Sequence, residues 1–196
     1  MSLAAQNYIS PEKTKKLDWR AWSATAFFVA FWAGLIVAAP ILKANGFAAA
    51  GYIYTPFSYL CHQLSDRSMH LAGEQLAVCA RCFGVYAGLG IGILAYPFFR
   101  SVHSADAPSR AVLFLAPIPT AIDFALGYLG ILENTYFSRF ATGAILGAVC
   151  AFFVVPGIVE INRFLWLRNK KKMPVNTVSP KTDSAPSDYS RPDLRI

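Results

Sequence analysis

Residues 82–99 read CFGVYAGLGIGILAYPFF, an apolar run in which Gly84, Gly88 and Gly92 stand four residues apart. A helix of about 20 residues crosses a hydrocarbon core roughly 30 Å thick, so this run is long enough to span a membrane. Residues four apart lie on one face of a helix, and a glycine face lets another helix backbone approach closely. The run therefore predicts a transmembrane helix whose glycine face packs against a second helix.

Further apolar runs of similar length occur at residues 21–42, 111–131 and 140–161. The chain has 196 residues, of which 55% are hydrophobic and only 15% are charged, and a soluble domain of this size does not need so much apolar surface. We therefore predict the all-α fold class: a polytopic transmembrane bundle of four spanning helices in the lipid bilayer of the cytoplasmic (inner) membrane.

The segment between the first two runs, residues 43–78, is too short and too often interrupted by polar residues to span a membrane. Its first half carries Tyr52, Tyr54, Phe57 and Tyr59, and aromatic residues are enriched at the membrane–water interface. We predict an interfacial or re-entrant cap over one end of the bundle, with these aromatic side chains at headgroup depth.

Lysine and arginine near the ends of the runs predict the orientation, because these residues resist translocation. One side of the membrane receives the basic flanks at residues 13–20, 100–110 and 163–172. The other side receives fewer cations, which are Lys43, Arg67, Arg81 and Arg139. Both termini are therefore predicted to be cytoplasmic, and the cap is predicted to be extracytoplasmic.

Composition divides the chain into three segments. We expect a cytoplasmic N-terminal segment at residues 1–20, the transmembrane domain at residues 21–168, and a basic and polar cytoplasmic tail at residues 169–196. The tail has too few apolar residues to fold, so we predict that it is disordered. Because the net charge of +7 arises mostly from the membrane flanks, nucleic acid is not an expected partner.

Cysteines fall close together at Cys61, Cys79 and Cys82, and His62 follows the first of them. Cys79 and Cys82 form a C-x-x-C motif at the start of a predicted helix, which places both sulfur atoms on one helix face. Free backbone N–H groups and the helix dipole at that end favour thiolate, and Arg81 acts in the same direction. The sequence therefore indicates thiolate chemistry at the extracytoplasmic rim of the bundle.

Two uses of these thiolates fit the spacing. In a metal site, Cys79 and Cys82 supply two ligands and Cys61 with His62 supply one or two more, an arrangement that binds zinc or another divalent transition metal. In a redox site, Cys79 and Cys82 form a reversible disulfide, and Cys61 is a resolving thiol. As a third interpretation, Cys79 and Cys82 form a purely structural disulfide or are simply small residues at a helix end.

Charged and polar residues near the same rim supply further candidates. Asp123 lies in the third run, roughly 20 Å from its cytoplasmic start at ~1.5 Å per residue, and an ionisable group at that depth needs a partner such as Arg81 or Arg139. These three are the candidate catalytic residues, and the alternative is a structural Asp–Arg pair that holds the helices together. The candidate ligand-binding residues, which suit an anionic group such as a lipid phosphate, are Gln63, Arg67 and Ser68.

Together these motifs resemble those of a family of bacterial and archaeal multispanning membrane proteins that carry a domain of unknown function. Its signature is C-H-Q, R-S, a glycine, C-x-R-C-x-G-x-Y-x-G, P-x-x-x-D and R-x-x-T-G-x-x-x-G. The corresponding residues in this chain are 61–63, 67–68, 73, 79–88, 119–123 and 139–147. Phe124 follows Asp123 where the family more usually has glycine. The resemblance implies a compact membrane bundle in which these residues cluster, and it implies no particular activity.

The sequence supports three functional hypotheses. The first is a metal-binding membrane protein that binds, or acts on, an anionic or lipid-derived ligand in the outer leaflet. The second is a membrane thiol-disulfide oxidoreductase that exchanges electrons with a quinone or with a partner's cysteines. The third is a non-catalytic assembly subunit whose glycine faces dock onto a larger membrane complex.

Overall fold

The computed structural model describes residues 11–104 and 106–172. Within these residues, four helical segments are long and apolar enough to cross a membrane: Glu12–Ala44, Ala80–Phe99, Arg110–Tyr128 and Tyr136–Asn169. The predicted all-α bundle with four spanning helices is therefore confirmed. Residues 1–10 and 173–196, which include most of the predicted tail, lie outside the described residues.

The elements, in chain order, are α1 (Pro11–Ala44), α2 (Ala49–Ser58), β1 (His70–Leu71), β2 (Glu74–Gln75), α3 (Ala80–Phe99), α4 (Arg110–Leu115), α5 (Ile118–Tyr128) and α6 (Tyr136–Lys172). The two short strands pair antiparallel, with His70 opposite Gln75. A 3-10 turn at Ser65–Arg67 precedes them. The segment between α1 and Cys79, the N-cap residue of α3, is thus a small folded unit, which we call the cap (residues 45–78).

Helices α1 and α6 extend beyond the apolar runs that predict them. α1 begins at Pro11 rather than near residue 21, and α6 continues to Lys172. Lysine, arginine and glutamate have good helix propensity, so the basic flanks continue the helices outside the apolar windows.

The third span is interrupted. α4 ends at Leu115 and α5 begins at Ile118, with a turn at Ala116 and Pro117 between them. A proline within a helix removes a backbone donor and clashes with the preceding turn, so Pro117 and Pro119 separate this span into two helices. α5 packs against α6 and places Asp123 and Phe124 beside Arg81 of α3.

The glycine faces predicted from the sequence pack against each other in the contact between α3 and α6. A Cβ atom added to Gly88 would overlap the backbone of Ala144, and one added to Gly92 would lie 2.7 Å from Cβ of Ala151. On the opposite helix, a Cβ atom on Gly147 would overlap the backbone of Val85. The prediction of a close helix contact is confirmed, and both glycine faces are covered within the chain.

Two clusters of buried side chains lie toward opposite ends of the bundle. One joins the first half of α1 to the C-terminal parts of α3 and α6, and it includes Val29, Ile93 and Val155. The other joins the second half of α1 to the cap and the start of α3, and it includes Ile36 and Phe57. The cap is therefore held by its own hydrophobic core.

The aromatic residues of the cap divide between exposed positions and the buried core. Tyr52 and Tyr59 are 83% and 86% exposed, which suits the predicted interfacial positions. Phe57 is only 2% exposed, and its ring lies 4.9 Å from that of Trp32 in α1. The prediction of an interfacial Phe57 is wrong, because α2 turns this residue onto α1, where it anchors the cap.

A buried polar network ties the bundle together at the other end. Asp18 is fully buried, and Arg163 Nε donates a hydrogen bond to its Oδ1 atom at 2.8 Å. The His103 Nδ1 atom lies 3.0 Å from Asp18 Oδ2, and Arg163 also donates to the backbone carbonyl of His103 at 3.0 Å. The network joins α1, the loop after α3, and α6.

Candidate metal centre and adjoining cavities

Cys61 reaches the site because the chain reverses direction after α2. The backbone N–H of Cys61 donates to the Phe57 carbonyl at 2.9 Å, and Gln63 then adopts a left-handed conformation with φ of 50°. Cys61 itself is 7% exposed and packs in the same cluster as Phe57. The position of this thiol therefore depends on the core beneath the cap.

Gln63 fastens the two halves of the cap. Its side-chain amide donates to the carbonyls of Tyr54 at 2.9 Å and Ala77 at 2.8 Å. The Tyr54 hydroxyl donates in turn to the Gln75 carbonyl. These bonds join α2, the loop after it and the segment before α3, so the amide group of Gln63 supports the loop that carries Cys61.

Cys79 and Cys82 lie where α3 begins. Cys79 is the N-cap residue, with extended backbone angles, and Cys82 follows within the first turn. The backbone N–H of Cys79 donates to Cys61 Sγ at 3.2 Å. The sulfur atoms of Cys61, Cys79 and Cys82, which we call the cysteine cluster, all lie within 4.8 Å of one another. All four cysteines of the chain are free thiols.

Electrostatics favours a thiolate at Cys79. A hydrogen bond from the Cys82 thiol lowers the pKa of Cys79 to about 5, although burial acts in the opposite direction. The backbone N–H groups of Cys82 and Arg81 and the Cys61 thiol act with it. The sequence expectation that the helix start favours thiolate agrees with this arrangement.

His62 lies beside the cysteine cluster but outside it. Its ring nitrogens do not belong to the group of donor atoms that approach one another within 4.8 Å among the described residues. The residue is exposed, and it lines a cavity of about 300 Å³ together with Cys61, Gln63 and Arg67. The geometry brings the three thiols together and leaves the imidazole at the mouth of this cavity.

A larger cavity of about 560 Å³ also adjoins the cluster, and Cys79 and Cys82 line both cavities. We call it the arginine cavity, because three arginines contribute to its wall. It is lined by Arg67, Cys79, Arg81, Cys82, Phe124, Gly127, Tyr128, Glu133, Asn134 and Arg139. Two of the three thiols therefore lie next to a concentration of guanidinium groups.

Asp123 pairs with Arg81, one of the two arginines that the sequence predicts as partners for a carboxylate at this depth in the membrane. The two side chains form an ion pair that is mostly shielded from solvent, with exposed fractions of 11% and 24%. Asn134 donates to the Asp123 carbonyl at 2.8 Å and to its carboxylate at 3.3 Å. The guanidinium also lies 5.9 Å from the ring centre of Phe124. Arg81 is thus fixed at the edge of the arginine cavity.

The other predicted site residues differ in how exposed they are and in whether they already have a bonding partner. Arg139 is half-buried and forms no ion pair with any residue in the described ranges. Arg67 is 52% exposed and lies 3.5 Å from the exposed Asp66 carboxylate. Ser68, by contrast, is fully buried, and its hydroxyl donates to the Leu64 carbonyl at 2.8 Å. Ser68 therefore supports the turn that presents Arg67.

Asn134, Phe124 and Tyr128 line the arginine cavity, although the sequence motifs do not mark them as site residues. Asn134 lies in the turn before α6, close in sequence to Arg139. Its amide group, which can hydrogen-bond a buried carboxylate, is the feature that could have identified it from the sequence. Phe124 stacks near Tyr128, with ring centres 6.1 Å apart. Phe124 and Tyr128 reach the cavity because α5 begins as a separate helix after α4. Composition alone does not reveal that break.

Comparisons with known proteins match the part of the chain that contains the cysteine cluster. The family model described as "Predicted membrane protein (DUF2085)" matches residues 61–153. An uncharacterised protein of Methanocaldococcus jannaschii is 37% identical over 109 residues, which cover 56% of this chain and 70% of that protein. Another, from Methanothermobacter thermautotrophicus, is 36% identical over 87 residues, which cover 44% of this chain and 77% of that protein. No solved structure matches significantly.

Proposed function

This chain belongs to the DUF2085 family of predicted membrane proteins, and we propose that it binds a zinc ion through Cys61, Cys79 and Cys82 and an anionic ligand in the adjoining arginine cavity. One observation carries the proposal: sulfur atoms from the cap and from the start of α3 converge within 4.8 Å of one another. These two parts of the chain are separate in sequence, so the cluster is a product of the fold.

Zinc suits this set of donor atoms. Thiolates are soft ligands that select zinc, copper(I) or iron–sulfur clusters over magnesium and calcium. Zn–S bonds of about 2.3 Å at tetrahedral angles place sulfur atoms roughly 3.8 Å apart, so the cluster needs to contract by no more than about 1 Å. The N–H group of Cys79 that donates to Cys61 Sγ orients one ligand, as supporting hydrogen bonds do in metal sites.

Three thiolates leave one tetrahedral position of a zinc ion free, and they give the metal site a net negative charge. The guanidinium groups of the arginine cavity offset that charge and attract an anion to the free position. Arg139, without an ion pair among the described residues, is the best placed of them, and Arg67 faces the same cavity. Glu133 also lines the cavity, so an anion needs to bind on the arginine side of it.

The remaining residues define how such a ligand is held. Asp123 and Asn134 hold Arg81 in position, while the rings of Phe124 and Tyr128 form an apolar wall. A wall of this kind suits a ligand that has an apolar portion beside its anionic group, as a lipid-derived ligand has. A bound zinc ion supplies Lewis acidity to whatever oxygen occupies its free position.

The distribution of lysine and arginine supports an extracytoplasmic position for this site. Cations are concentrated at the end of the bundle where α1 begins and α6 ends, and they are sparse at the end that carries the cap. Both termini are then cytoplasmic, and the arginine cavity lies at the level of the outer leaflet. Cysteine labelling of intact cells with a membrane-impermeant reagent, after a chelator has removed the zinc, tests this side directly.

Elemental analysis of the full-length protein, purified in detergent without a polyhistidine tag, tests the zinc site. We expect close to one zinc per chain in the wild type and nearly none in Cys61→Ser or Cys82→Ser. Cys150→Ser is the matched control, because this free thiol lies in α6 away from the cluster. A wild-type protein without metal, or zinc retained in Cys82→Ser, overturns the proposal.

The variant His62→Ala determines the fourth ligand. If His62 completes the site, zinc is lost as completely as in the cysteine variants. If the position is held by an exchangeable ligand, as the geometry of the cluster favours, zinc remains and its affinity changes little. The measurement is a competition titration with a chromogenic chelator.

A second candidate function, a membrane thiol-disulfide oxidoreductase, rests on a different observation. Cys79 caps α3 and Cys82 lies one turn later, both as free thiols near Cys61. In this function the Cys79–Cys82 disulfide accepts two electrons and two protons from a partner dithiol, whose sulfur atoms become a disulfide. A quinone then removes those electrons and protons and becomes a quinol.

Thiol trapping separates the two functions. A redox protein shows a Cys79–Cys82 pair that changes between dithiol and disulfide as the buffer potential is varied. A zinc protein keeps all three thiols reduced, and they become reactive only after chelation.

The glycine faces do not favour the third hypothesis, an assembly subunit that docks through them. Gly84, Gly88 and Gly92 are buried against α6 within the same chain, so they offer no free face to a partner. An assembly role needs a different surface.

A further inference from the structure

A second groove lies between α1 and α6 near the ends opposite the cap. It has a volume of about 750 Å³ and predominantly apolar walls. Its lining includes Ala24, Phe28, Ile158, Ile161 and Leu165. Phe28 and Ile161 are 61% and 59% exposed, so the groove is open toward the surrounding hydrocarbon.

Cations surround one end of this groove. A smaller cavity of about 190 Å³, lined by Lys13, Lys16, Arg20 and Trp166 among others, extends it toward the start of α1. Lys16 pairs with the exposed Glu12 at 2.6 Å, whereas Lys13 and Arg20 form no ion pair within residues 11–104 and 106–172. The rim therefore carries positive charge that no described carboxylate balances.

The depth of the groove matches one leaflet. From Arg20 at the rim to Phe28, α1 rises roughly 12 Å at ~1.5 Å per residue. Half of a hydrocarbon core about 30 Å thick is slightly more than that. Trp166 lines both cavities at the rim, where tryptophan is typical of the membrane interface.

We propose that this groove binds one anionic phospholipid, with an acyl chain along the apolar walls and the phosphate at Lys13 and Arg20. Charge complementarity favours this occupant over a zwitterionic lipid, because each cation near an anionic headgroup contributes about 1 kcal/mol. The amide of Asn162 donates to the Leu17 carbonyl at 3.3 Å, so it closes the floor of the groove. The site lies at the opposite end from the cysteine cluster and does not depend on the zinc proposal.

The test uses the full-length protein in detergent, titrated with phosphatidylglycerol or with phosphatidylcholine that has the same acyl chains. Native mass spectrometry counts the bound lipid. We expect phosphatidylglycerol to bind at least five-fold more tightly, and Arg20→Gln to weaken its binding roughly five-fold. Ala24→Phe fills the groove and should abolish the binding of both lipids.

The matched control is Arg110→Gln, which removes an exposed cation at the start of α4 that does not line the groove. Equal binding of the two lipids by the wild type, or equal effects of Arg20→Gln and Arg110→Gln, overturns the proposal. Binding that survives Ala24→Phe in a protein of unchanged thermal stability also overturns it. If the wild type is a dimer in phosphatidylglycerol nanodiscs and Ala24→Phe is a monomer, the occupant is a second copy and the proposal is wrong.

Discussion

The guanidinium group of Arg81 and the carboxylate of Asp123 form an ion pair that joins the start of α3 to α5 beside the cysteine cluster. Arg81 stands between Cys79 and Cys82 in the sequence, so the pair links the C-x-x-C motif to the interrupted third span. The same ion pair lies at one edge of the arginine cavity, so it connects the proposed zinc site to the proposed anion site.

Replacing Asp123 by Asn tests whether this carboxylate positions Arg81 or binds metal. We expect the zinc content to stay unchanged and the free energy of unfolding to fall by about 1–2 kcal/mol, because a partly buried guanidinium loses its charged partner. Zinc analysis and denaturant unfolding in detergent measure the two quantities. Glu133→Gln is the control, since it also removes one negative charge from the cavity without breaking that pair. Loss of zinc in Asp123→Asn would show that Asp123 is a ligand.

Replacing Gln63 by Ala should weaken zinc binding although Gln63 carries no proposed ligand atom. The change removes the amide that donates to the Tyr54 and Ala77 carbonyls, so the loop with Cys61 loses its support. Loss of such a supporting group lowers metal affinity roughly 10-fold or more. Chelator competition measures the affinity. Asn45→Ala, which removes an exposed amide bonded to the Ile41 carbonyl, should have no effect.

The pH dependence of Cys79 alkylation reports its thiolate. In zinc-free Cys150→Ser protein, iodoacetamide should modify Cys79 with a midpoint that reflects a pKa of about 5, as the Cys82 thiol donates to it. Cys82→Ala should move the midpoint toward an ordinary thiol value of about 8.5. Mass spectrometry of the Cys79 peptide follows the rate. An unchanged midpoint in Cys82→Ala would contradict the hydrogen bond.

The same pKa predicts how the stability of the metal-free protein depends on pH. The folded state lowers the pKa of Cys79 below its unfolded value, so thiolate formation stabilises the fold fully above the unfolded pKa. This contribution is lost progressively as the pH falls toward about 5. Unfolding curves of the metal-free wild type and Cys79→Ser should therefore converge at acidic pH and separate at alkaline pH.

Gly147 and Gly157 form a matched pair in α6. Gly147→Ala should destabilise the bundle by about 1–3 kcal/mol, because the new methyl group meets the Val85 backbone. Gly157→Ala has open space around it and should be neutral or stabilising by up to about 1 kcal/mol, the difference in helix propensity. Unfolding midpoints in detergent measure both. Equal effects would show that α3 and α6 do not pack through their glycine faces.

Asp18→Asn tests the buried network at the opposite end. The change leaves Arg163 without its charged partner, and we expect a loss of about 3 kcal/mol in unfolding free energy. Glu12→Gln, which breaks an exposed pair on the same helix, should have little effect. A small loss in Asp18→Asn would show that the network contributes little to holding α1 on α6.

Several parts of this architecture follow from local sequence patterns. Apolar runs long enough to cross a bilayer determine the spanning helices, because the backbone has no other way to satisfy its hydrogen bonds in lipid. The spacing of Gly84, Gly88 and Gly92 predicts a close helix contact, although it does not say with which helix. The depth of Asp123 predicts a basic partner, and the structure selects Arg81 from the two candidates.

Other features depend on packing between distant segments. His103 gives no signal in the sequence, yet it contacts a carboxylate 85 positions away. Phe57 fits an interfacial residue by type, and only the fold of α2 buries it. His62 adjoins Cys61 in the sequence, but Cys61 is buried and His62 is exposed, and the imidazole lies outside the group of three thiols.

By itself, the sequence determined the membrane class, the number of spans and the thiol-rich character of one end, because length, hydropathy and residue spacing act within a single helix. Only the tertiary structure decided that Cys61 joins Cys79 and Cys82 and that three arginines line one cavity. Those contacts depend on how the cap reverses and how α5 breaks from α4. Pro117 and Pro119 mark the break locally, but only packing between distant segments brings the reversed cap and α5 together beside the thiols.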